Sequence, residues 1–228
     1  MANLYGPRIV TDGLVLHLDA GNRKSYPLSG NTIYDLSGNG NNGTFGASTA
    51  APTFSGDNGG NILYDGNDYI EVSYSGNFLT QSYTMSFFAK HNGSRDNRRT
   101  MLGFSNGGDF AYKTYCMQIW DSDVQFFAFI GNSAGQFNDY SFNLPDAFSN
   151  WHYFTSIITP STVTTYVNDT IYYNNSITRR GAFDRIWIGT RGGQEWKGWI
   201  PGLTLYDRVL YDYEVKQNYN AIKGRFGL

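Results

Sequence analysis

Trp196-Lys197-Gly198-Trp199-Ile200-Pro201-Gly202-Leu203-Thr204-Leu205-Tyr206-Asp207-Arg208-Val209-Leu210 reads as a turn, a strand and an exit. Asp212 to Ala221 then supplies one short amphipathic helix. Val215, Tyr219 and Ile222 fall at i, i+4 and i+7 and form one apolar stripe that faces a sheet. Asp212 and Glu214 sit in the first helical turn, where carboxylates complement the helix dipole. The N-cap position falls to Tyr211, which has no capping oxygen in reach.

Upstream of this unit the chain reads as strands and turns. Strands are predicted at Tyr83 to His91, Arg99 to Phe104, Tyr115 to Trp120 and Val124 to Ile130, then at Trp151 to Thr159, Val163 to Val167, Arg185 to Gly189 and Gly198 to Tyr206. Asn168-Asp169 forms a two-residue hairpin turn, since Asn tolerates left-handed geometry. Asp65-Gly66-Asn67-Asp68 is a turn between the strands around Ile62-Leu63-Tyr64 and Tyr69-Ile70-Glu71-Val72. The polar stretch from Arg23 to Gly60 reads either as loop or as short edge strands. A spacing of about ten residues between turn signals, with no strand–helix alternation, predicts a sandwich or a barrel.

Composition agrees. The chain of 228 residues carries 27 Gly, 18 Tyr, 16 Phe and 5 Trp, a mixture suited to pleated surfaces joined by tight turns. One cysteine, Cys116, excludes an internal disulfide framework. With 17 basic and 19 acidic residues spread along the chain, no basic stripe marks a nucleic-acid partner. No apolar run approaches the roughly 20 residues of a membrane-spanning helix. The opening residues lack the basic and apolar regions of a secretory signal. The four N-x-S/T sequons, at Asn42, Asn92, Asn168 and Asn174, therefore carry little meaning.

Four segments, in order, resemble the laminin-G-like, concanavalin-A-like family: residues 61–72, 83–90, 151–169 and 186–210. Phe88 stands where that family usually has Trp, Asp169 where it has Gly, and Tyr211 where a Ser usually caps the helix. The resemblance implies an all-β fold, a two-sheet antiparallel jelly-roll sandwich with one short C-terminal helix. It also implies a binding scaffold. A narrower resemblance, in residues 6–22, 34–44 and 217–226, is to laminin-G-like virion structural proteins of tailed bacteriophages, notably those of marine cyanobacteria. The Gly6-Pro7 break and the polar lead-in make residues 1–13 an expected N-terminal arm, a docking segment, ahead of one domain at 14–228.

Oxygen-bearing side chains alternate at Asp35, Ser37, Asn39 and Asn41, a spacing that suits Ca²⁺, which takes about six to eight oxygens. Asp65 and Asp68 are the candidate helpers, because sandwich loops cluster at the ends. The competing reading, which is favoured, is an Asx-turn loop bonded to its own backbone. Trp196, Tyr112, Tyr115 and Tyr140 are candidate platforms for sugar rings, set against a core-filling role. Gly103-Phe104-Ser105-Asn106-Gly107 matches G-x-S-x-G but lacks the following helix that a nucleophile elbow needs. His17, His91 and His152 have no metal spacing. The three glutamates, Glu71, Glu195 and Glu214, lack the clustered-acid pattern of the glycoside hydrolases that share this fold.

The expectation is a non-enzymatic virion structural protein on the particle exterior, made in the host cytoplasm. It would be a capsid decoration or a fibre-associated module, without a cofactor unless Ca²⁺ binds. Its partners would be other virion proteins and a host surface glycan, and a homo-oligomer is compatible with the sequence. The alternative is a free-standing carbohydrate-binding lectin, Ca²⁺-dependent if the Asp35 loop binds metal.

Overall fold

Tyr83–His91 is buried along almost its whole length, because in the folded chain both of its faces are covered. Tyr83, Met85, Phe87 and Ala89 point into the main core, while Phe88 points the other way, under the C-terminal segment. The computed structural model describes residues 7–77, 80–92, 99–106, 113–120, 125–131, 137–144, 150–176, 181–189 and 195–228.

The described strands begin with β1 (Leu14–Asp19), β2 (Thr32–Ile33), β3 (Gly43–Phe45), β4 (Thr53–Ser55), β5 (Asn61–Asp65) and β6 (Ile70–Asn77). Next come β7 (Tyr83–His91), β8 (Arg99–Ser105), β9 (Lys113–Trp120), β10 (Gln125–Gly131), β11 (Phe137–Asn143) and β12 (His152–Ile158). The series ends with β13 (Thr162–Val167), β14 (Thr170–Ser176), β15 (Ala182–Ile188), β16 (Lys197–Trp199), β17 (Gly202–Tyr206) and the helix α1 (Asp212–Ile222).

Two antiparallel sheets result. The nine-stranded sheet runs β14-β13-β12-β7-β16-β5-β4, with β17 also beside β7 and β1 outside β17. The eight-stranded sheet runs β11-β10-β9-β8-β15-β6-β3-β2. Their inner faces meet in one apolar cluster, in which Leu18, Tyr64, Phe87 and Leu205 of the first sheet pack with Val72, Leu102, Phe104 and Ile186 of the second. Fully burying each such side chain contributes roughly 1.5–3 kcal/mol.

The fold is the expected jelly-roll sandwich, and the differences are local. The stretch 23–60 contributes three short strands, β2, β3 and β4. The predicted strand Gly198 to Tyr206 is two strands, because Pro201 has no N–H to give a ladder. Asp65-Gly66-Asn67-Asp68 is a corner that carries the chain from one sheet to the other, since β5 pairs with β16 and β6 with β15. The Asn168-Asp169 turn is as expected: Asn168 is left-handed, with φ 60, and its Oδ1 accepts from Tyr153 N at 3.0 Å.

The outer face of the nine-stranded sheet is roofed by α1 and the residues after it, through an interface that is partly polar. Thr84 Oγ1 donates to Arg208 O (2.8 Å) and accepts from Leu210 N (3.0 Å). Thr155 Oγ1 donates to Ser86 Oγ at 2.9 Å. Asn218, buried on α1, accepts from Val10 N (2.8 Å) and donates to the Tyr206 hydroxyl (3.0 Å), which donates to Val10 O (2.9 Å). This triangle ties residues 8–12 to the domain's own roof, where Val10 packs with Tyr206 and Val215. At the far end of the roof Arg225 bonds Asn58 O (2.6 Å), Asp19 Oδ1 (2.6 Å) and Gly60 O. Gly21 is required beneath it, since a Cβ there would lie 2.5 Å from the guanidinium.

Asn218→Ala strands the Val10 N–H and removes a donor from Tyr206, both buried. The expected cost is about 2–3 kcal/mol, or about 5–10 °C in Tm by thermal denaturation. Tyr206→Phe, which leaves the Val10–Asn218 bond in place, is expected to cost less.

Candidate functional site

The six residues nominated for Ca²⁺ lie in two loops with other work to do. Asp35 Oδ1 accepts from His17 N and Ser37 N, both at 2.9 Å. Its Oδ2 accepts from Ser37 Oγ at 2.7 Å and Asn41 N at 3.0 Å. All four lone-pair directions of the carboxylate are therefore taken. The amides of Asn39 and Asn41 donate to Leu14 O (3.2 Å) and Val15 O (2.7 Å), stapling the loop to β1. This is the Asx-turn arrangement, and the donor set does not fit a cation. In the corner between sheets, Asp68 Oδ2 accepts from Asp65 N at 2.7 Å, and Asp68 is only 3% exposed. Burial, and after it the Asp65 carboxylate, push the Asp68 carboxyl up to about 6 against the lowering effect of that bond. Among the described residues no group of three or more His, Cys, Asp or Glu is placed to hold a metal.

The aromatic candidates fare differently. Trp196, one of the candidate platforms, is 1% exposed and packs edge-on against His91, with ring centroids 5.0 Å apart. Its chain neighbours Glu195 and Lys197 are only part-buried, so Trp196 takes the inward position of a period-two segment entering β16. It is a core residue and no sugar platform. Tyr115 lies on β9 opposite Phe104, and Tyr140 on β11 opposite Ala128. Tyr112 falls outside the described residues. Ser105, of the G-x-S-x-G match, is fully buried and accepts from Trp187 Nε1 at 2.8 Å, which makes it a structural residue.

A cleft of about 40 Å³ opens between the nine-stranded sheet and the C-terminal residues, lined by His17, Asp19, Ser86, Tyr153, Arg225 and Phe226. At roughly 10–15 Å³ for each water it accommodates a few waters and no sugar ring. Burial is the largest influence on His17 and lowers its imidazole pKa, while Asp19 and Asp35 oppose it.

One surface was not nominated from the sequence. Tyr211 and Tyr213 are 64% and 65% exposed. Their rings lie within 9° of parallel, with centroids 5.7 Å apart. Residues two apart on a helix do not face each other. They do here because Tyr211 is the N-cap, with extended φ −73 and ψ 158, and this swings its ring back beside Tyr213. Glu214 fixes that conformation by accepting from Tyr211 N at 2.8 Å, which supplies the cap that the Tyr side chain cannot. Arg208 in turn grips both Glu214 oxygens, at 2.8 and 2.7 Å, and its Nε meets Asp12 Oδ2 at 3.0 Å. The bond to Arg208 lowers the Glu214 pKa, with the Tyr211 N–H adding to it and burial opposing. In the same segment Asp12 pairs with Arg208, and Lys216 pairs with Asp212 at 2.8 Å, the latter pair lying toward Tyr166. Two stacked, exposed rings offer apolar ring surface with polar hydroxyl tips.

The sequence profile of the family described as the concanavalin A-like lectin/glucanases superfamily (Laminin_G_3) matches residues 64–216. Comparison with curated proteins by sequence finds no match. The binding domain of Paraclostridial Mosquitocidal Protein 1 superposes with a TM-score of 0.69 at 18% identity, over 92% of this chain and 52% of that one. The ligand binding domain of botulinum neurotoxin serotype D, in complex with N-acetylneuraminic acid, gives 0.70 at 14% identity, over 92% and 51%. Trypanosoma rangeli sialidase in complex with the inhibitor DANA gives 0.69 at 13% identity, over 93% and 33%. These likenesses are of fold, and the chain spans 52% or less of each of those chains.

Two outcomes follow from the loops. Adding about 5 mM Ca²⁺ to chelator-treated protein is expected to move Tm by less than ~1 °C, since a cation stabilises only by binding the folded state. Because the Asp68 pKa is raised, its stabilising contribution is complete below its ordinary pKa of 3.8 and is lost as pH rises through about 6. Asp68→Asn is therefore expected to melt about 3–6 °C above the parent near pH 8 and together with it near pH 4.

Proposed function

This chain belongs to the concanavalin A-like lectin/glucanases superfamily, and from that premise we propose that it is a carbohydrate-binding module whose contact surface is the Tyr211–Tyr213 ledge. The observation that carries the reading is the pair of near-parallel, exposed rings held in place by the Arg208–Glu214 grip. Exposed aromatic rings forgo burial, and holding two of them parallel suits the flat C–H face of a pyranose. The phenol hydroxyl tips supply donors and acceptors for the sugar hydroxyls. A ledge touches one face of a sugar, so single-site affinity is expected to be weak, on the order of millimolar.

The reading is one of binding without chemistry. Hydrolysis of a glycosidic bond by the common two-acid mechanism calls for two carboxyl groups facing one another across the sugar, about 5–10 Å apart. Glu71 is paired with Arg185 at 2.7 Å, and Glu214 is held by Arg208. Asp68, whose raised pKa would suit an acid, is buried away from substrate.

The proposed setting is the exterior of a phage particle, as a capsid decoration or fibre-associated module. It rests on the likeness of residues 6–22, 34–44 and 217–226 to virion proteins. Many copies on one particle would raise the effective concentration of a weak site by orders of magnitude. Mass spectrometry of purified virions tests the setting.

Binding is tested on a glycan array with the protein displayed multivalently. Tyr211→Ala with Tyr213→Ala is expected to lower binding at least tenfold while Tm stays within about 1–2 °C, as for exposed positions. Binding unchanged in the double variant would place the glycan elsewhere.

A further inference from the structure

The two flanks of the sandwich are built differently. On one flank the sheets end in β4 and β2, strands of three and two residues, too short to template another chain, and in β1, whose outer backbone is bonded by Asp35, Asn39 and Asn41. On the other they end in β14 and β11, each of seven residues. Phe142 of β11 and Tyr172 of β14 meet at 5.5 Å, which puts both long edges on the same side.

β14, Thr170-Ile171-Tyr172-Tyr173-Asn174-Asn175-Ser176, lacks the usual guards of an exposed edge. It has no charge and no proline, and only Tyr173 of its seven residues is even part-buried. Ile171 and Tyr172 are 50% and 40% exposed. Among the described residues it pairs with β13 alone, so its outer N–H and C=O groups face outward. It has one irregularity. Thr165 pairs with Tyr173 and Tyr166 with Ile171, so Tyr172 is an extra residue. That bulge turns the Thr170–Ile171 end aside and leaves Tyr173–Ser176 as the regular edge.

We infer that this edge pairs with the same edge of a second copy of the chain, antiparallel across a two-fold axis that passes through Asn174, since opposed residues must share a face of the sheet. Asn174 then faces the partner's Asn174, and Tyr173 faces the partner's Asn175. An uncharged strand meets no like-charge repulsion from its own copy, and a segment of four residues is short enough to stay flat. The isologous contact closes at two chains, so the arrangement ends in a dimer and no fibre forms. It joins the two nine-stranded sheets into one.

Analytical ultracentrifugation of the full chain, from micromolar to hundreds of micromolar, reads the dimer directly. The parent is expected to reach twice the single-chain mass. Asn174→Lys with Asn175→Lys, and separately Asn174→Glu with Asn175→Glu, are expected to stay monomeric with unchanged near-UV circular dichroism. Mixing these two variants is expected to restore the doubled mass, because the lysine at position 174 then faces a glutamate. A parent that is monomeric throughout, a dimer that survives the Lys variant, or a mixture that stays monomeric would overturn the inference. So would a monomer that takes a strand from another protein at this edge.

Discussion

The grip of Arg208 on Glu214 is the contact on which the C-terminal architecture turns. Arg208 leaves the end of β17 and reaches Asp12 before β1, while Glu214 opens α1 and holds the backbone of Tyr211. One charge-assisted fork thus fixes a strand exit, an N-terminal lead-in and a helix start together. Bidentate geometry of this kind specifies orientation as well as adding energy. Glu214 is mostly buried, so losing Arg208 would leave a charge without a partner, which costs far more than the pair contributes. The parallel setting of Tyr211 and Tyr213 follows from this constraint.

Beneath the helix the protein uses hydroxyls where grease would serve. Thr84, Ser86, Thr155 and Asn218 are all buried on the outer side of the nine-stranded sheet, and all are bonded. Tyr153 lies beside Ser86, Thr155 and Thr204, and burial drives its phenol up to about 12. The bonds of Thr84 and Asn218 favour one seating of the roof, since any slide of α1 breaks several of them at once. Apolar contacts at either end, Val215 on Tyr206 and Phe226 on Phe88, then add cohesion to that register.

Most of the strands and the helix stripe were legible because they are long enough to show a period. β2, β3 and β4 were not, as two or three residues carry no periodicity. Asp-Gly chemistry at 65–66 announced a turn, but turn chemistry is local and cannot say whether the next strand stays in the same sheet. Composition alone leaves Trp196 open between platform and core, while alternation across Glu195-Trp196-Lys197 points the ring inward. The Tyr211–Tyr213 ledge escaped notice although its signal was present. A cap position without a capping oxygen, followed by an aromatic off the apolar stripe, is a helix start arranged for something other than its own stability.

Fold, roof and ledge together describe a rigid two-layer scaffold that presents aromatic rings where the chain turns from sheet to helix. Its interior is given over to packing, and the functional claim rests on that single exposed corner. The most direct measurement is a crystal structure of the chain soaked with an oligosaccharide identified by array binding. The account predicts a sugar ring lying flat on Tyr211 and Tyr213. A sugar bound on any other surface, with the two tyrosines bare, would contradict it.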